Sequence, residues 1–118
     1  MFSYICENFI SLMELDEKQR ELIDNIKYEV AKYFGVTQQD IINKQTRESV
    51  SNARYFIFYI LHFKLGMTPR AIAREYFYNP RSVKMGYAKI KHRLKYYAYY
   101  SNILEELMEK IKPFLPNH

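Results

Sequence analysis

Basic side chains are concentrated in residues 67–95, MTPRAIAREYFYNPRSVKMGYAKIKHRLK, which contain eight Lys or Arg and one acidic residue, Glu75. Guanidinium and ammonium groups at this density can neutralise the phosphates of a polyanion. A guanidinium can also pair bidentately with guanine O6 and N7 in the major groove of DNA. A basic helix face is more often solvated surface, so charge alone does not decide between these interpretations.

The charge is polarised along the chain. Residues 1–46 carry a net charge of −3, residues 47–95 a net of +9, and residues 96–118 a net of −1. Interspersed charge serves solubility equally well, so this segregation indicates a polyanionic partner.

Composition predicts one small helical domain spanning residues 1–118. The chain is 48% apolar and 17% aromatic, which is typical of a chain with a buried core rather than a disordered one. Only three Gly and four Pro leave little turn chemistry for a β-sandwich, so helices are favoured. We expect an all-α fold, a compact bundle of about five to six helices with an N-terminal helical extension over 1–20.

Several protein classes are not expected. Cys6 is the only cysteine, which excludes an intramolecular disulfide or a cysteine-based metal site. No phosphate loop, paired carboxylates or catalytic triad can be named from spacing, so we expect neither an enzyme nor a cofactor. The N-terminus lacks a signal-peptide pattern and no apolar run reaches membrane length. The expected protein is soluble and cytoplasmic.

Capping residues divide the chain into helices. Thr37 followed by Asp40 forms a cap-like pair, and Thr68-Pro69 and Asn79-Pro80 each combine a cap with Pro in the first turn. Gly35 and Gly66 are predicted helix ends. The predicted helices cover residues 5–14, 17–34, 38–43, about 49–65, 69–77, 81–97 and 101–112. Asp16 is the predicted cap of the second helix, and Pro113 closes the last one. The helix that ends at about 65, capped by Ser49 or Ser51, is expected to be the central buried helix.

The basic stretch predicts a short helix, a tight turn and a longer helix. In the longer helix Val83, Gly86 and Ile90 lie on one stripe that marks its core side. Gly86 is costly in a helix, so it predicts close approach of a neighbouring helix. A helix-turn-helix over about 68–97 is therefore predicted, with 81–97 as the helix that enters the major groove.

Aromatic and histidine residues offer weaker signals. The sequence YYAYY at 96–100 can stack on single-stranded bases, but at helical spacing it is interpreted mainly as core and inter-helix packing. His62 and His92 have no carboxylate or cysteine neighbours at ligand spacing, so they are interpreted as structural or surface residues. No metal site is predicted.

The ordered segments VAKYFGVTQQDIINK, RESVSNARYFIFYIL, GMTPRAIAREYF and RSVKMGYAKI resemble the C-terminal DNA-binding domain of the bacterial replication initiator DnaA. The resemblance covers about residues 24–95 and implies a Trp-repressor-like helix-turn-helix. It also implies a DNA-binding module standing without the initiator's ATPase domain. The signature GGRDHTTV of the family is replaced here by FYNPRSV, so the resemblance does not extend to the family's own DNA box.

Individual roles follow from the resemblance. Arg54 matches the arginine that holds the DNA backbone, Lys89 matches a basic position of the recognition helix, and Thr46 replaces a basic residue that enters the minor groove. Lys44 and Arg47 flank Thr46. Arg81 and Ser82 match the two threonines at the tip of the recognition helix, and Asn79-Pro80 match the Asp-His before them.

The resulting hypothesis is sequence-specific binding of double-stranded DNA. A protein-interaction module or homodimer that keeps the fold without base readout is the alternative, and binding of RNA or single strands through tyrosines is a third interpretation. Predicted base contacts are Asn79, Arg81, Ser82, Lys84 and Met85, and predicted phosphate contacts are Arg47, Arg54, Arg70, Lys89, Lys91 and Lys95.

Overall fold

Helices account for most of residues 17–76 and 78–115, which are the residues that the computed structural model describes. The all-α prediction is confirmed, whereas the helix predicted over 5–14 and its neighbour Asp16 lie outside these residues. The described residues form six α-helices: α1 (Glu17–Phe34), α2 (Gln38–Ile42), α3 (Glu48–Phe63), α4 (Pro69–Tyr76), α5 (Pro80–Tyr96) and α6 (Ala98–Ile111). A short 3-10 helix, Lys112–Phe114, follows α6.

Local capping sets most helix ends where they were predicted. Thr37 and Asp40 form a reciprocal capping box at the start of α2, each side chain accepting from the backbone N–H of the other. The Thr68 hydroxyl accepts from the Ala71 N–H at 3.1 Å at the start of α4. The chain leaves α1 and α3 through glycines at φ 70° and 77°, a conformation that costs other residues free energy.

The predicted start of α3 is wrong. The helix begins at Glu48, and Arg47 occupies the cap position without a side-chain cap. The Arg47 carbonyl accepts from the Ser51 N–H at 2.9 Å, so Ser51 is already inside the helical ladder. No hydroxyl cap is needed, because Val50 and Ala53 are fully buried and packing holds the first turns in place.

The central position of α3 is confirmed. This helix contacts α1, α2, α4 and α5, and Phe56, Ile57 and Phe58 are completely buried in succession, so its surface is covered nearly all round. The other side of the bundle is closed by α6, which packs on α1 and α5. It begins earlier than predicted, because the extended backbone of Tyr97 ends α5 and starts α6 immediately.

Close contact between α3 and α5 explains the glycine in α5. A Cβ atom added at Gly86 would lie 2.8 Å from a ring carbon of Phe58 and 2.8 Å from one of Tyr55. Real side chains do not approach so closely, so only glycine lets the two helices meet at this distance. The predicted close approach at Gly86 is confirmed.

An ion cluster joins α1 to α4. The carboxylate of Glu75 accepts from both terminal nitrogens of Arg20, one at 3.1 Å, and from the Lys27 ammonium at 3.3 Å. The Glu75 side chain is only 9% exposed. Glu75, the one acid of the basic stretch, therefore pairs with cations of α1 and holds α4 against that helix. It does not neutralise the positive charge of α5.

Candidate nucleic-acid interface

The first turn of α5 is fixed by Asn79. Its backbone is extended, and its side-chain oxygen accepts from the Ser82 N–H at 2.8 Å, while Pro80 occupies the first helical position. The cap leaves Arg81 exposed at the leading end of the helix. Asn79 was predicted to contact bases, but its amide oxygen is engaged in the cap.

The exposed face of α5 is set by its buried stripe. Val83, Gly86 and Ile90 are buried, and at about 100° per residue the opposite side of the helix presents Arg81 and Met85, followed by Ala88 and His92. All four of these residues are exposed, Met85 by 56%. The predicted base contacts Arg81 and Met85 therefore share the outward face near the start of the helix.

Cations flank that outward face on both sides. Lys84, Lys91 and Lys95 follow one another at i, i+7 and i+11 along one flank, and all are exposed. Lys89 lies along the other flank, where Arg54 and Lys44 adjoin it around a pocket. A helix with cations on both flanks matches a groove bordered by two phosphate strands.

Several cations of α5 lie near aromatic rings rather than near carboxylates. Within residues 17–76 and 78–115, salt bridges involve only Arg20, Lys27 and Arg47, so none involves α5. Instead, the ammonium of Lys89 lies 5.3 Å from the Tyr55 ring and that of Lys91 lies 5.6 Å from the Phe63 ring. The positive charge of this helix therefore remains available to an external anion.

The predicted phosphate contacts outside α5 differ from one another. Arg70 is exposed in the first turn of α4. Arg47 is also exposed, but its guanidinium donates to Asp40 and to the side chain of Gln45, both at 3.3 Å. Arg47 must give up part of this pairing before it can bind a phosphate.

Arg54 is the exception among the predicted phosphate contacts, because it is only 5% exposed. Its Nη2 donates to the Gln45 carbonyl at 2.8 Å, and its guanidinium carbon lies 5.6 Å from the Tyr78 ring. Its Nε–H is buried and has no hydrogen-bond partner within the part of the chain that the structure describes.

A pocket of about 200 Å³ opens beside Arg54, between α3, the segment after α2 and the first half of α5. Tyr78 forms part of its wall, and its hydroxyl donates to the Ile41 carbonyl at 3.0 Å. Burial raises the pKa of Tyr78, and the Arg54 charge opposes that rise. Sequence reasoning did not find the pocket. Its charged and aromatic walls are Lys44, Arg54, Lys89, Tyr55, Phe58 and Tyr78.

Three of the four tyrosines at the junction of α5 and α6 are exposed, so the interpretation of these residues as core and inter-helix packing is wrong for all but Tyr100. Tyr96, Tyr97 and Tyr99 are between 57% and 66% exposed, and only Tyr100 packs against the core, with its ring 6.1 Å from Phe56. The break at Tyr97 rotates the residues that follow, so the i, i+3 spacing of one continuous helix does not apply to them.

The two described histidines agree with a structural or surface role. His62 Nδ1 lies 2.8 Å from the Met67 carbonyl, and its ring is parallel to that of Tyr87 with centroids 4.2 Å apart. His92 is exposed beside Tyr96. Among the residues that the structure describes, no three His, Cys, Asp or Glu side chains are grouped to hold a metal ion.

Comparison of the chain with protein-family models, with curated proteins and with solved structures finds no significant match in any of the three. The resemblance to the DNA-binding domain of DnaA therefore rests on the quoted residues alone. None of the helices in the described part of the chain has the length and apolar character needed to cross a membrane.

Proposed function

We propose that this protein binds double-stranded DNA in a sequence-specific manner through a helix-turn-helix made of α4 and α5. The observation that carries the proposal is the arrangement of charge on α5. Arg81 stands exposed at the leading end, cations line both flanks, and no carboxylate of the described residues pairs with them. This arrangement suits a helix that lies in the major groove with its N-terminal residues at base edges.

Base readout in this proposal belongs mainly to the start of α5. The Arg81 guanidinium pairs with guanine O6 and N7, while Lys84 reaches a neighbouring base and the Met85 thioether contacts a thymine methyl group. Asn79 acts chiefly through its cap on the Ser82 N–H, which fixes the angle at which Arg81 leaves the helix, and the Ser82 hydroxyl contributes an edge contact.

Phosphate binding belongs to the flanks. Lys91 and Lys95 bind phosphates of one DNA strand, and Lys89 binds phosphates of the other strand. Arg70 binds the DNA backbone from the first turn of α4. These contacts fix the position of the helix in the groove and carry no sequence information. They release counterions and make affinity depend on salt.

Selection from a pool of randomised duplexes at near-physiological salt tests the proposal. The expected result is enrichment of a guanine-containing motif, which Arg81→Ala loses at a cost of about 1–3 kcal/mol for the best site. The matched control is Lys110→Gln, which changes an exposed charge on α6 and leaves the motif intact. Retention of duplexes without enrichment, or an enriched motif that survives Arg81→Ala, contradicts base readout by α5.

The exposed tyrosines favour a second candidate, a protein-interaction module. Tyr96, Tyr97 and Tyr99 expose large amphipathic rings within four residues of the chain, and tyrosine is enriched in protein interfaces. Under this alternative the chain retains no duplex from the pool. Instead, it forms a homodimer or heteromeric complex that is weakened by replacing these tyrosines with serine.

A further inference from the structure

The pocket beside Arg54 has the size and lining of a site for a small molecule. Its volume of about 200 Å³ is several times the roughly 30 Å³ that one water molecule occupies in the liquid. It is below the range of about 300–1,000 Å³ typical of drug-sized ligands, so a compact ligand fits it best. It lies between α3 and α5, where Gly86 brings the two helices together.

The charge of the pocket selects an anion. Lys44, Arg54 and Lys89 all line it, and no Asp or Glu of the described residues does. Lys44 has a φ of 58°, a left-handed conformation that is unfavourable for lysine. Its ammonium lies 4.9 Å from the Tyr78 ring. Three cationic residues thus line a pocket to which no described carboxylate supplies a countercharge.

Arg54 has unused hydrogen-bonding capacity at this pocket. A buried donor without a partner is costly, and a buried guanidinium is normally paired. Here Nη2 is satisfied by the Gln45 carbonyl, while Nε–H is not satisfied by any described residue. An oxyanion bound against the guanidinium supplies the missing acceptor after a small movement of the side chain.

Apart from Ser82, the uncharged side chains that line the pocket are aromatic or apolar. Tyr55, Phe58 and Tyr78 contribute aromatic rings and Met85 a thioether. A bare inorganic anion gains nothing from these groups, whereas a planar organic body stacks on the rings and excludes water. The pocket therefore combines one acidic-group subsite with one aromatic subsite.

We propose that this pocket binds a free small aromatic oxyanion, with its acidic group on Lys44, Arg54 and Lys89 and its ring against Tyr55 and Tyr78. A duplex phosphate is disfavoured as the occupant, because backbone phosphates meet cations at a protein surface and Arg54 is buried. The proposal goes beyond DNA binding and does not depend on it, since the ligand is bound in the absence of any duplex.

Phenyl phosphate is the probe for this site. The purified full chain is titrated with it, affinity is measured by calorimetry, and the Arg54 Nε–H resonance is followed by NMR. We expect saturable binding that moves this resonance. Inorganic phosphate and phenol should each bind at least about tenfold more weakly, because each retains only one of the two subsites.

Lysine variants show whether binding occurs in this pocket, without altering the buried arginine. Lys44→Gln and Lys89→Gln are each expected to weaken phenyl phosphate about three- to tenfold, because each removes one charge-assisted contact. Lys110→Gln changes the same charge on α6, away from the pocket, and should leave affinity unchanged. Circular dichroism and thermal melts confirm that each variant is folded.

Three results would overturn the proposal. The first is non-saturable binding, or equal affinity in the wild type and both pocket variants. The second is inorganic phosphate binding as tightly as phenyl phosphate, which would remove the aromatic subsite. The third is an Arg54 Nε–H resonance that moves only when a duplex is added, which would make a backbone phosphate the occupant. Failure of duplex binding alone leaves the proposal standing.

Discussion

Three arginines that the sequence predicts as DNA contacts differ in what surrounds each guanidinium. Arg81 is exposed at the start of α5, Arg47 is held by Asp40, and Arg54 is buried against Gln45 and the pocket. A side chain that has no ion-pair partner to give up pays the smallest free-energy cost when it binds DNA. Arg81 is therefore the best placed of the three to distinguish bases. The residue type alone does not make this distinction.

Tyr33 supplies a prediction about pH. Its hydroxyl donates to a Glu106 carboxylate oxygen at 2.6 Å, and this hydrogen bond, with lesser contributions from burial and charge, raises the pKa of Tyr33 to about 12 from its ordinary value of 10.0. Since the folded pKa is raised, the contact stabilises the fold fully below about pH 10 and is lost as pH rises toward 12.

The measurement is a titration of the Tyr33 Cζ resonance in protein carrying ¹³C-labelled tyrosine. We expect a midpoint near 12 in the wild type. In Glu106→Gln the pKa of Tyr33 should fall toward 10.0, because both the hydrogen bond to a carboxylate and the negative charge of that carboxylate are gone. The same midpoint in both proteins contradicts this contact between α1 and α6.

At the scale of helices, most caps were predicted correctly from the sequence, whereas most tertiary contacts were not, the close approach at Gly86 being the exception. Thr37 and Asn79 reveal helix starts because each cap depends on a few neighbouring residues. The burial of Arg54 depends on Tyr78, which is remote in sequence, and no periodicity reveals such a contact. The exposure of Tyr97 depends in the same way on how α6 turns away from α5.

Gly86→Ala tests the contact between α3 and α5. The added methyl group meets Phe58 and Tyr55 at 2.8 Å, so the helices must separate or the rings must move. Overpacking of this kind costs about 1–3 kcal/mol, which offsets the gain of about 1 kcal/mol in helix propensity. We expect net destabilisation in urea unfolding, together with weaker duplex binding because the start of α5 is displaced.

A matched control for Gly86→Ala is Ala88→Gly, an exposed position on the same helix. This substitution measures the difference in helix propensity between Ala and Gly at a position without tertiary contacts. It should lower the free energy of unfolding by about 1 kcal/mol. If Gly86→Ala stabilises the protein by as much as Ala88→Gly destabilises it, the close approach at Gly86 imposes no steric restriction.

Glu75→Gln tests the junction of α1 and α4. The neutral amide leaves Arg20 and Lys27 without their shared carboxylate, and we expect a loss of about 1–3 kcal/mol in urea unfolding, less than for a fully buried pair because Arg20 is 42% exposed. Asp24→Asn removes only an exposed partner of the same arginine and should cost at most about 0.5 kcal/mol. Equal effects of the two substitutions would show that burial of Glu75 contributes nothing.

At the scale of the whole molecule, charge is segregated by element. Residues 47–95 carry the net +9, while the segments on either side are mildly acidic. Glu75, one of only two acids in the basic segment, is turned inward to α1. The electrostatic field outside α4 and α5 is therefore positive and steers polyanions toward that side of the molecule. The net charge of the whole chain is a moderate +5, because the flanking segments are acidic.

Salt dependence of duplex binding measures how many of these cations meet phosphates. Arg70, Lys89, Lys91 and Lys95 are exposed without a salt bridge in the described part of the chain, whereas Arg47 is paired and Arg54 is buried. Four contacts predict a slope of about −3.6 for log K against log salt, and all six predict about −5.4. Fluorescence anisotropy with a labelled duplex gives the slope.

Lys91→Ala tests whether cations of α5 contribute to the salt dependence of duplex binding. We expect it to make the slope less steep by about one contact and to weaken all duplexes alike, whereas Lys110→Gln should change neither quantity. A wild-type slope near −3.6 indicates that Arg54 stays in its pocket while DNA is bound, and one near −5.4 indicates that Arg47 and Arg54 both turn outward. A slope near zero is incompatible with phosphate contacts from the flanks of α5, and the positive field would then belong to another anionic partner.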